Sequence, residues 1–120
     1  MFRKVIGLAG YLFLLLPAAV AADTAIEGAI IGVDVGYGNL QTNIPADAMT
    51  IDLGDPFTFS CNGVSFEATW VSWYEDVAEG EWLGLSGQSD QVQIAVSFGH
   101  ADEASGCNVG DAIELKLATT

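Results

Sequence analysis

The stretch Gln91-Val92-Gln93-Ile94-Ala95-Val96-Ser97-Phe98 decides the fold class, because apolar and polar side chains alternate along it with a period of two. That period is typical of a β-strand with one buried face. The predicted apolar face carries Val92, Ile94, Val96 and Phe98, and the opposite face carries Gln91, Gln93 and Ser97. After residue 22, no long stretch shows the helical period of about 3.6 residues.

Six further segments predict strands on the same grounds, separated by residues that favour turns. They are residues 28–35, 40–44, 57–61, 65–73, 82–85 and 113–117. Asn62-Gly63 lies between two of them and predicts a β-hairpin. Residues 101–106 are predicted to form a single helical turn that ends at Gly106. About seven short strands at this spacing favour an all-β domain, either a small barrel or a sandwich.

Residues 1–22 have the features of a secretory signal peptide. Basic residues stand at positions 3–4, an unbroken apolar run covers 5–16, and Ala-Val-Ala at 19–21 offers small side chains for cleavage. The alternative is a membrane anchor, but the apolar run is about half the length that spans a bilayer. We therefore expect an exported protein, periplasmic or secreted, with no stable membrane anchor, whose residues 23–120 form a single domain.

The two cysteines, Cys61 and Cys107, both fall after the predicted signal peptide. In an oxidising compartment, two cysteines of a small exported domain most simply pair with each other. Closing the long loop between them would stabilise the fold by roughly 4 kcal/mol in the chain-entropy model. The alternative is two buried free thiols, and export favours the disulfide.

The charge is strongly one-sided. All 16 acidic residues lie between Asp23 and Glu114, and Lys116 is the one basic residue after position 22, so the predicted domain has a net charge near −15, sixteen negative against one positive. Nucleic acids and anionic membranes need cationic contacts, and this surface would repel them. It also lacks a Lys and Arg cluster that could hold a phosphorylated ligand.

The residues provide few catalytic or metal-binding patterns. His100 is the single histidine, and although Asp102 and several serines are near it in sequence, a Ser-His-Asp site needs a geometry that spacing alone does not show. An exposed turn histidine is the favoured interpretation. Zinc would lack ligands once the cysteines are paired, and no calcium-loop pattern is present. We predict no catalytic residue, no metal and no cofactor.

Aromatic side chains are the more informative group. Trp70, Trp73, Tyr74 and Trp82 crowd into one segment, with Tyr37 and Phe98 elsewhere in the chain. Most such rings belong to a core, but a partly exposed ring can stack on a purine or a sugar. Tyr37 and Tyr74 are the candidates for lining a cleft.

Four segments resemble, in the same order, the C-terminal domain of the S-adenosyl-L-methionine (SAM) hydroxide adenosyltransferases, relatives of the SAM-dependent fluorinase and chlorinase. Residues 37–44, Tyr-Gly-Asn-Leu-Gln-Thr-Asn-Ile, resemble the family's Phe-Gly-Asn-Leu-x-Thr-Asn-Ile. Residues 74–81 resemble its Tyr-Ala-Asp-Val-Pro-Pro-Gly-Glu, and residues 93–99 its Glu-Ile-Ala-Val-Asn-x-Gly. Ala104 with residues 109–111 resembles the family's C-terminal Gly-Asp segment. The resemblance implies a small β-barrel.

The resemblance also implies a ligand and its site. In that family the C-terminal domain recognises the adenine and methionine ends of the ligand at an interface between subunits of a trimer, and a larger N-terminal domain carries the catalytic residues. The corresponding ligand-binding positions here are Tyr37, Asn39, Tyr74 or the adjacent Trp73, Ser97 and Phe98. Ser97 replaces an asparagine that contacts adenine, and a hydroxyl cannot offer a base edge both the donor and the acceptor of an amide. On this interpretation the catalytic domain is absent and a signal peptide stands in its place.

Three hypotheses about function follow. The first is an exported, non-catalytic domain that binds a nucleoside-like small molecule, with SAM or adenosine as the candidate ligand. The second is a structural or protein-interaction module that has lost the ligand site, as a homo-oligomer or with a separate partner domain. The third is the C-terminal half of a SAM-hydrolysing enzyme that another chain completes. We favour the first, because it keeps the aromatic and amide residues of the site.

Overall fold

The computed structural model describes residues 23–118 and shows a closed barrel of seven strands. The strands are β1 (Asp23–Val33), β2 (Leu40–Pro45), β3 (Pro56–Cys61), β4 (Val64–Trp70), β5 (Trp82–Ser86), β6 (Gln91–Val96) and β7 (Ala112–Ala118). One short helix, α1 (Ala101–Ser105), precedes β7, and Gly106 ends it in the left-handed conformation. The predicted all-β barrel and its helical turn are confirmed. The predicted signal peptide lies outside the described residues.

The strands close in the order β1-β2-β6-β5-β4-β3-β7, with β7 pairing back to β1. Every pair is antiparallel except β4 with β5. Parallel neighbours cannot be joined by a tight turn, so a longer connection leads from Trp70, opposite Gly84, back to Trp82, opposite Ala68. We call this connection, residues 71–81, the crossover. It carries Tyr74 to the barrel end where β1 and β2 are joined.

The barrel interior is filled by apolar side chains from all around the sheet. Leu40, Phe59, Ile94 and Leu115 are completely buried. Phe59 packs against two neighbouring rings, with centroid distances of 5.0 Å to Phe66 and 5.1 Å to Trp82. Alternation along β7 matches the prediction, since Ile113, Leu115 and Leu117 point inward while Lys116 is exposed.

β6 departs from the predicted alternation because it is covered on both faces. Val92 and Ile94 belong to the main core, whereas Ala95 packs with Val71, Leu83 and Leu85 in a second cluster outside the barrel. The strand ends at Val96, two residues earlier than predicted, and the chain then turns. The prediction that Phe98 faces the core is wrong: Phe98 is 87% exposed, and the polar Ser97 is buried instead.

Two local features that the sequence predicts are confirmed. At the β3–β4 hairpin, Asn62 and Gly63 have φ values of +53° and +78°, the left-handed conformations that this tight turn requires. The Cys61–Cys107 disulfide is formed and joins the end of β3 to the segment after α1, across 46 positions of sequence. Within residues 23–118, no helix is long and apolar enough to cross a membrane.

Candidate functional site

A cavity of about 580 Å³ opens at the barrel end where the β1–β2 loop, the crossover and the turn after β6 meet. Its lining residues are Asp34, Tyr37, Asn39, Tyr74, Glu75, Val96, Ser97, Phe98, Gly99 and His100. Segments 37–44 and 91–99, which are distant in sequence, are brought together because β2 and β6 are neighbours, with Leu40 opposite Ile94. The site therefore depends on the barrel topology.

The β1–β2 loop, residues 34–39, is held in one shape by Asp34. Its Oδ1 accepts hydrogen bonds from the backbone N–H groups of Gly36, at 2.9 Å, and Tyr37, at 3.1 Å. The loop is also packed against α1, because the N–H of Asp102 donates to the Gly38 carbonyl at 2.9 Å. Gly38 has φ of +68°, and a Cβ there would overlap Asp102 Oδ1, so glycine is required at this contact. The loop thus presents Tyr37 and Asn39 from a fixed frame.

Tyr74 links the crossover to the other two elements. Its hydroxyl oxygen accepts hydrogen bonds from Asn39 Nδ2, at 3.1 Å, and Gln93 Nε2, at 2.7 Å. Both amide side chains are buried, with exposed fractions of 4% and 7%. A hydroxyl has two lone pairs and one proton, so these two bonds leave it to act toward a ligand as a donor.

The phenol of Tyr74 is held in its neutral form. Burial raises its pKa above the ordinary value, the hydrogen bond from Gln93 acts in the opposite direction, and the negative charge of Asp34 and the neighbouring Tyr37 raise the pKa further. A neutral phenol keeps the proton that a ligand acceptor needs. The influence of Asp34 also shows that its carboxylate is close enough to act on groups inside the cavity.

The turn after β6 places Ser97 and Phe98 at the cavity wall. The N–H of Gly99 donates to the Val96 carbonyl at 3.1 Å and closes the turn. Ser97 is fixed to the crossover by two backbone bonds, donating to the Glu81 carbonyl at 2.9 Å and accepting from Gly80 at 2.8 Å. Phe98 sits at φ of +60°, a left-handed conformation that side chains avoid, and this directs its ring outward at the rim.

Beside the cavity, His100, Asp102 and Glu103 bring one potential ligand atom each to within 4.8 Å of one another. His100 and Glu103 are exposed, and Asp102 Oδ1 is buried without a hydrogen-bond partner among the described residues. The sequence predicts an exposed turn histidine, and the exposure of His100 is confirmed. This is the group within residues 23–118 that could hold a metal ion, at the edge of the cavity.

Residues 28–114 match the sequence profile of the SAM hydroxide adenosyltransferase C-terminal domain. That match covers more than half of the chain. The chain belongs to this family. The predicted membership, which rested on four short segments, is confirmed, and the barrel is the fold of this domain.

Solved structures of other proteins share the fold, among them the following two. A crystal structure of an uncharacterized conserved protein from Thermotoga maritima is 31% identical to this chain with a TM-score of 0.71, and a conserved hypothetical protein from Thermus thermophilus is 24% identical with a TM-score of 0.57. Each alignment covers 74% of this chain and 34% of the other protein. The chain thus spans about a third of the length of these relatives. No curated protein matches it significantly.

The structure gathers five of the six residues that the family resemblance named as ligand-binding. Tyr37, Asn39, Tyr74, Ser97 and Phe98 line the cavity. Trp73, named as the alternative to Tyr74, does not line it and is 67% exposed. Asp34 and Glu75 line the cavity but were missed. The spacing of Asp34 ahead of Tyr37 fits an Asx-type turn and could have signalled the loop, whereas nothing in the sequence around Glu75 marks it as part of a site.

Proposed function

We propose that this SAM hydroxide adenosyltransferase C-terminal domain is an exported, non-catalytic domain that binds a nucleoside-like small molecule. The observation that carries the proposal is the neutral Tyr74 hydroxyl, fixed by Asn39 and Gln93 inside a cavity walled by aromatic rings.

The size and lining of the cavity support a small ligand. Its volume of about 580 Å³ falls within the roughly 300–1,000 Å³ of typical ligand pockets. Tyr37 and Phe98 are 70% and 87% exposed, so their ring faces are available to a planar base, and stacking is worth about 1–3 kcal/mol per base. Tyr74 would donate to a ring nitrogen or a sugar oxygen, which gives the site its polar contact.

The non-catalytic part of the proposal rests on the family to which the domain belongs. In SAM hydroxide adenosyltransferases the catalytic residues belong to another domain, according to the resemblance described above. The role proposed for this domain is therefore recognition.

Calorimetry with adenosine and with SAM tests the proposal. We expect heat of binding for the purified protein, with affinity reduced about tenfold or more by Tyr37→Ala, since that variant removes a stacking ring. Trp73→Ala is the matched control: Trp73 is nearly as exposed as Tyr37 but lies outside the cavity, so binding should be unchanged. No heat at millimolar ligand from a folded sample would refute the proposal.

A protein-interaction module is the second candidate function, because apolar side chains are exposed on the β1–β2 loop and on the turn after β6. Val35, Tyr37 and Phe98 are each at least 70% exposed. Exposed apolar groups of this size can mark a protein contact. If this is the function, cross-linking in cell extracts would capture a partner or a second copy through these exposed side chains. Val35→Ser would then abolish capture and leave adenosine binding unchanged.

A further inference from the structure

The turn after β6 and the first residues of α1 bring together three side chains that can bind a metal ion. His100, Asp102 and Glu103 each offer one ligand atom, and these atoms lie within 4.8 Å of one another. Two atoms that bind the same ion at about 2.0–2.2 Å are at most about 4.4 Å apart. Because His100 and Glu103 are exposed, a small rotation of either side chain is enough to close the difference.

Two of the three ligand atoms converge beside Gly38. A Cβ built at this glycine would overlap Asp102 Oδ1 and stand 3.0 Å from His100 Nδ1, so both atoms border the space that a side chain at position 38 would fill. The backbone N–H of Asp102 donates to the Gly38 carbonyl at 2.9 Å and fixes the approach of the loop to the helix. A nitrogen and an oxygen donor therefore face the same place from neighbouring positions.

Asp102 Oδ1 lacks the partner that a buried oxygen normally has. The atom is buried, and no described residue donates a hydrogen bond to it. Most buried polar atoms in folded proteins are paired, because burial without a partner is unfavourable, above all for a charged group. The single Lys or Arg within residues 23–118 is Lys116, and it lies beside Glu114 on β7, at 3.9 Å. A bound cation would supply the partner that the protein itself does not.

We propose that His100, Asp102 and Glu103 bind one divalent transition-metal ion, of which Zn²⁺ is the representative. The proposal goes beyond the proposed function and does not depend on it. The donor set decides the class of ion, because imidazole nitrogen suits zinc and its neighbours, whereas calcium and magnesium take oxygen ligands. Three protein ligands leave coordination positions open to water. The excess of acidic residues, sixteen against one lysine after position 22, raises the concentration of cations near the surface.

The backbone that carries these ligands is fixed by its contacts. The sequence alone predicts no metal site, because zinc would lack ligands once the cysteines are paired. The fold changes this count by turning the chain at His100, whose carbonyl accepts the N–H of Ala104 at 3.0 Å. Ala101 is completely buried and anchors the turn in the core, and the disulfide at Cys107 holds the segment that follows α1. Both carboxylates are thereby placed beside the imidazole.

Calorimetry with zinc chloride, on protein prepared without a polyhistidine tag, tests the proposal. At about 0.15 M ionic strength, where loose attraction to surface carboxylates is screened, we expect binding that saturates at one ion per chain at submillimolar concentration. Calcium and magnesium chloride should bind at least about tenfold more weakly, because neither ion gains from an imidazole ligand. Equal affinity for zinc and calcium would show general attraction to carboxylates and would overturn the proposal.

Three variants locate the ion. His100→Ala removes the nitrogen ligand and should weaken Zn²⁺ binding about a hundredfold, since even the outer partners of metal ligands contribute about tenfold to a hundredfold. Glu103→Gln keeps the size of an exposed side chain, so the fold is retained, and should weaken binding about tenfold. Glu67→Gln is the matched control, because it removes the same unit of charge from an exposed position of β4, outside the cluster.

The imidazole gives a direct signature of coordination. His100 is the single histidine of the sequence, so its ring contributes one set of imidazole signals to a nitrogen-edited NMR spectrum. Saturation with Zn²⁺ should shift the signal of Nδ1, the nitrogen that faces Gly38. Zinc that collects on carboxylates elsewhere would leave these signals where they are.

One ion per chain, lost in His100→Ala, weakened in Glu103→Gln and accompanied by the shift of the ring signals, supports the metal site. Absence of zinc binding to the folded protein, unmoved ring signals, or equal weakening by Glu67→Gln and Glu103→Gln would overturn it. Adenosine binding is measured separately in the presence of EDTA. Failure of the metal site therefore leaves the proposed function in place, and failure of adenosine binding leaves the metal site in place.

Discussion

Phe98 combines two features that seldom occur together in one residue. Its backbone lies in the left-handed region, with φ of +60°, and its large apolar ring is 87% exposed. Such a conformation costs about 1–2 kcal/mol for a residue with a Cβ, and exposure returns little burial energy. Strained residues of this kind cluster at binding sites, where the strain fixes a side chain in a useful position. We infer that the outward ring of Phe98 stacks on the base of the ligand.

Replacing Phe98 separates this role from stability. Glycine tolerates a positive φ and alanine does not, so Phe98→Gly should be more stable than Phe98→Ala by about 1 kcal/mol, the reverse of the usual order. Urea unfolding measures this difference. Both variants remove the ring and should weaken adenosine binding equally. A Phe98→Gly protein that is stable yet binds as tightly as the parent would show that the ring takes no part in recognition.

At the scale of elements, the Tyr74 hydroxyl is where three segments meet. The crossover supplies the phenol, the β1–β2 loop supplies Asn39, and β6 supplies Gln93. Both amides are buried and depend on this oxygen for one bond each. Tyr74→Phe would leave two buried donors without a partner, and each such loss costs about 1–3 kcal/mol. We expect unfolding at lower urea concentration and weaker adenosine binding.

The same hydroxyl gives a pH signature. Because burial raises the pKa of Tyr74 in the folded state, the folded protein holds this proton more tightly than the unfolded chain does. The corresponding stability is complete below the unfolded pKa, near 10, and is lost as pH rises through the folded value. The free energy of unfolding of the parent, measured with urea, should therefore fall above about pH 10. The Tyr74→Phe variant should lack the part of this fall that Tyr74 causes. An identical decline in both proteins would contradict the assignment.

The accuracy of the prediction for each element depended on what that element contacts. β7 was predicted with its faces correct, because one face meets the core and the other meets solvent. Phe98 was misplaced, because alternation continues in the sequence past Val96 whereas the strand does not. Five of the six site residues named from the family motifs line one cavity, and Trp73 does not. Glu75 was missed because its place at the cavity depends on the path of the crossover, which local patterns do not encode.

At the scale of the whole molecule, the strong negative charge and the disulfide act in opposite directions. Sixteen acidic residues with almost no compensating cations repel one another and favour expansion of the chain. The Cys61–Cys107 bond restricts the unfolded state, and a loop of 46 residues is worth roughly 4 kcal/mol. Because that bond persists only outside a reducing compartment, the stability of the barrel is tied to the proposed export.

Expression with and without residues 1–22 tests this link. With them, we expect periplasmic protein that begins near residue 23, as intact mass spectrometry would show, and that has no thiol open to alkylation. Without them, cytoplasmic protein should carry two free thiols and unfold at a lower urea concentration. Its free energy of unfolding should be lower by roughly 4 kcal/mol. The double variant Cys61→Ala/Cys107→Ala, exported normally, is the control and should match the reduced protein in stability.

The Ala21→Arg variant should block cleavage of the signal peptide. Full-length uncleaved protein in the cytoplasm of the parent strain would contradict export, whereas equal stability of oxidised and reduced protein would contradict the role given to the disulfide.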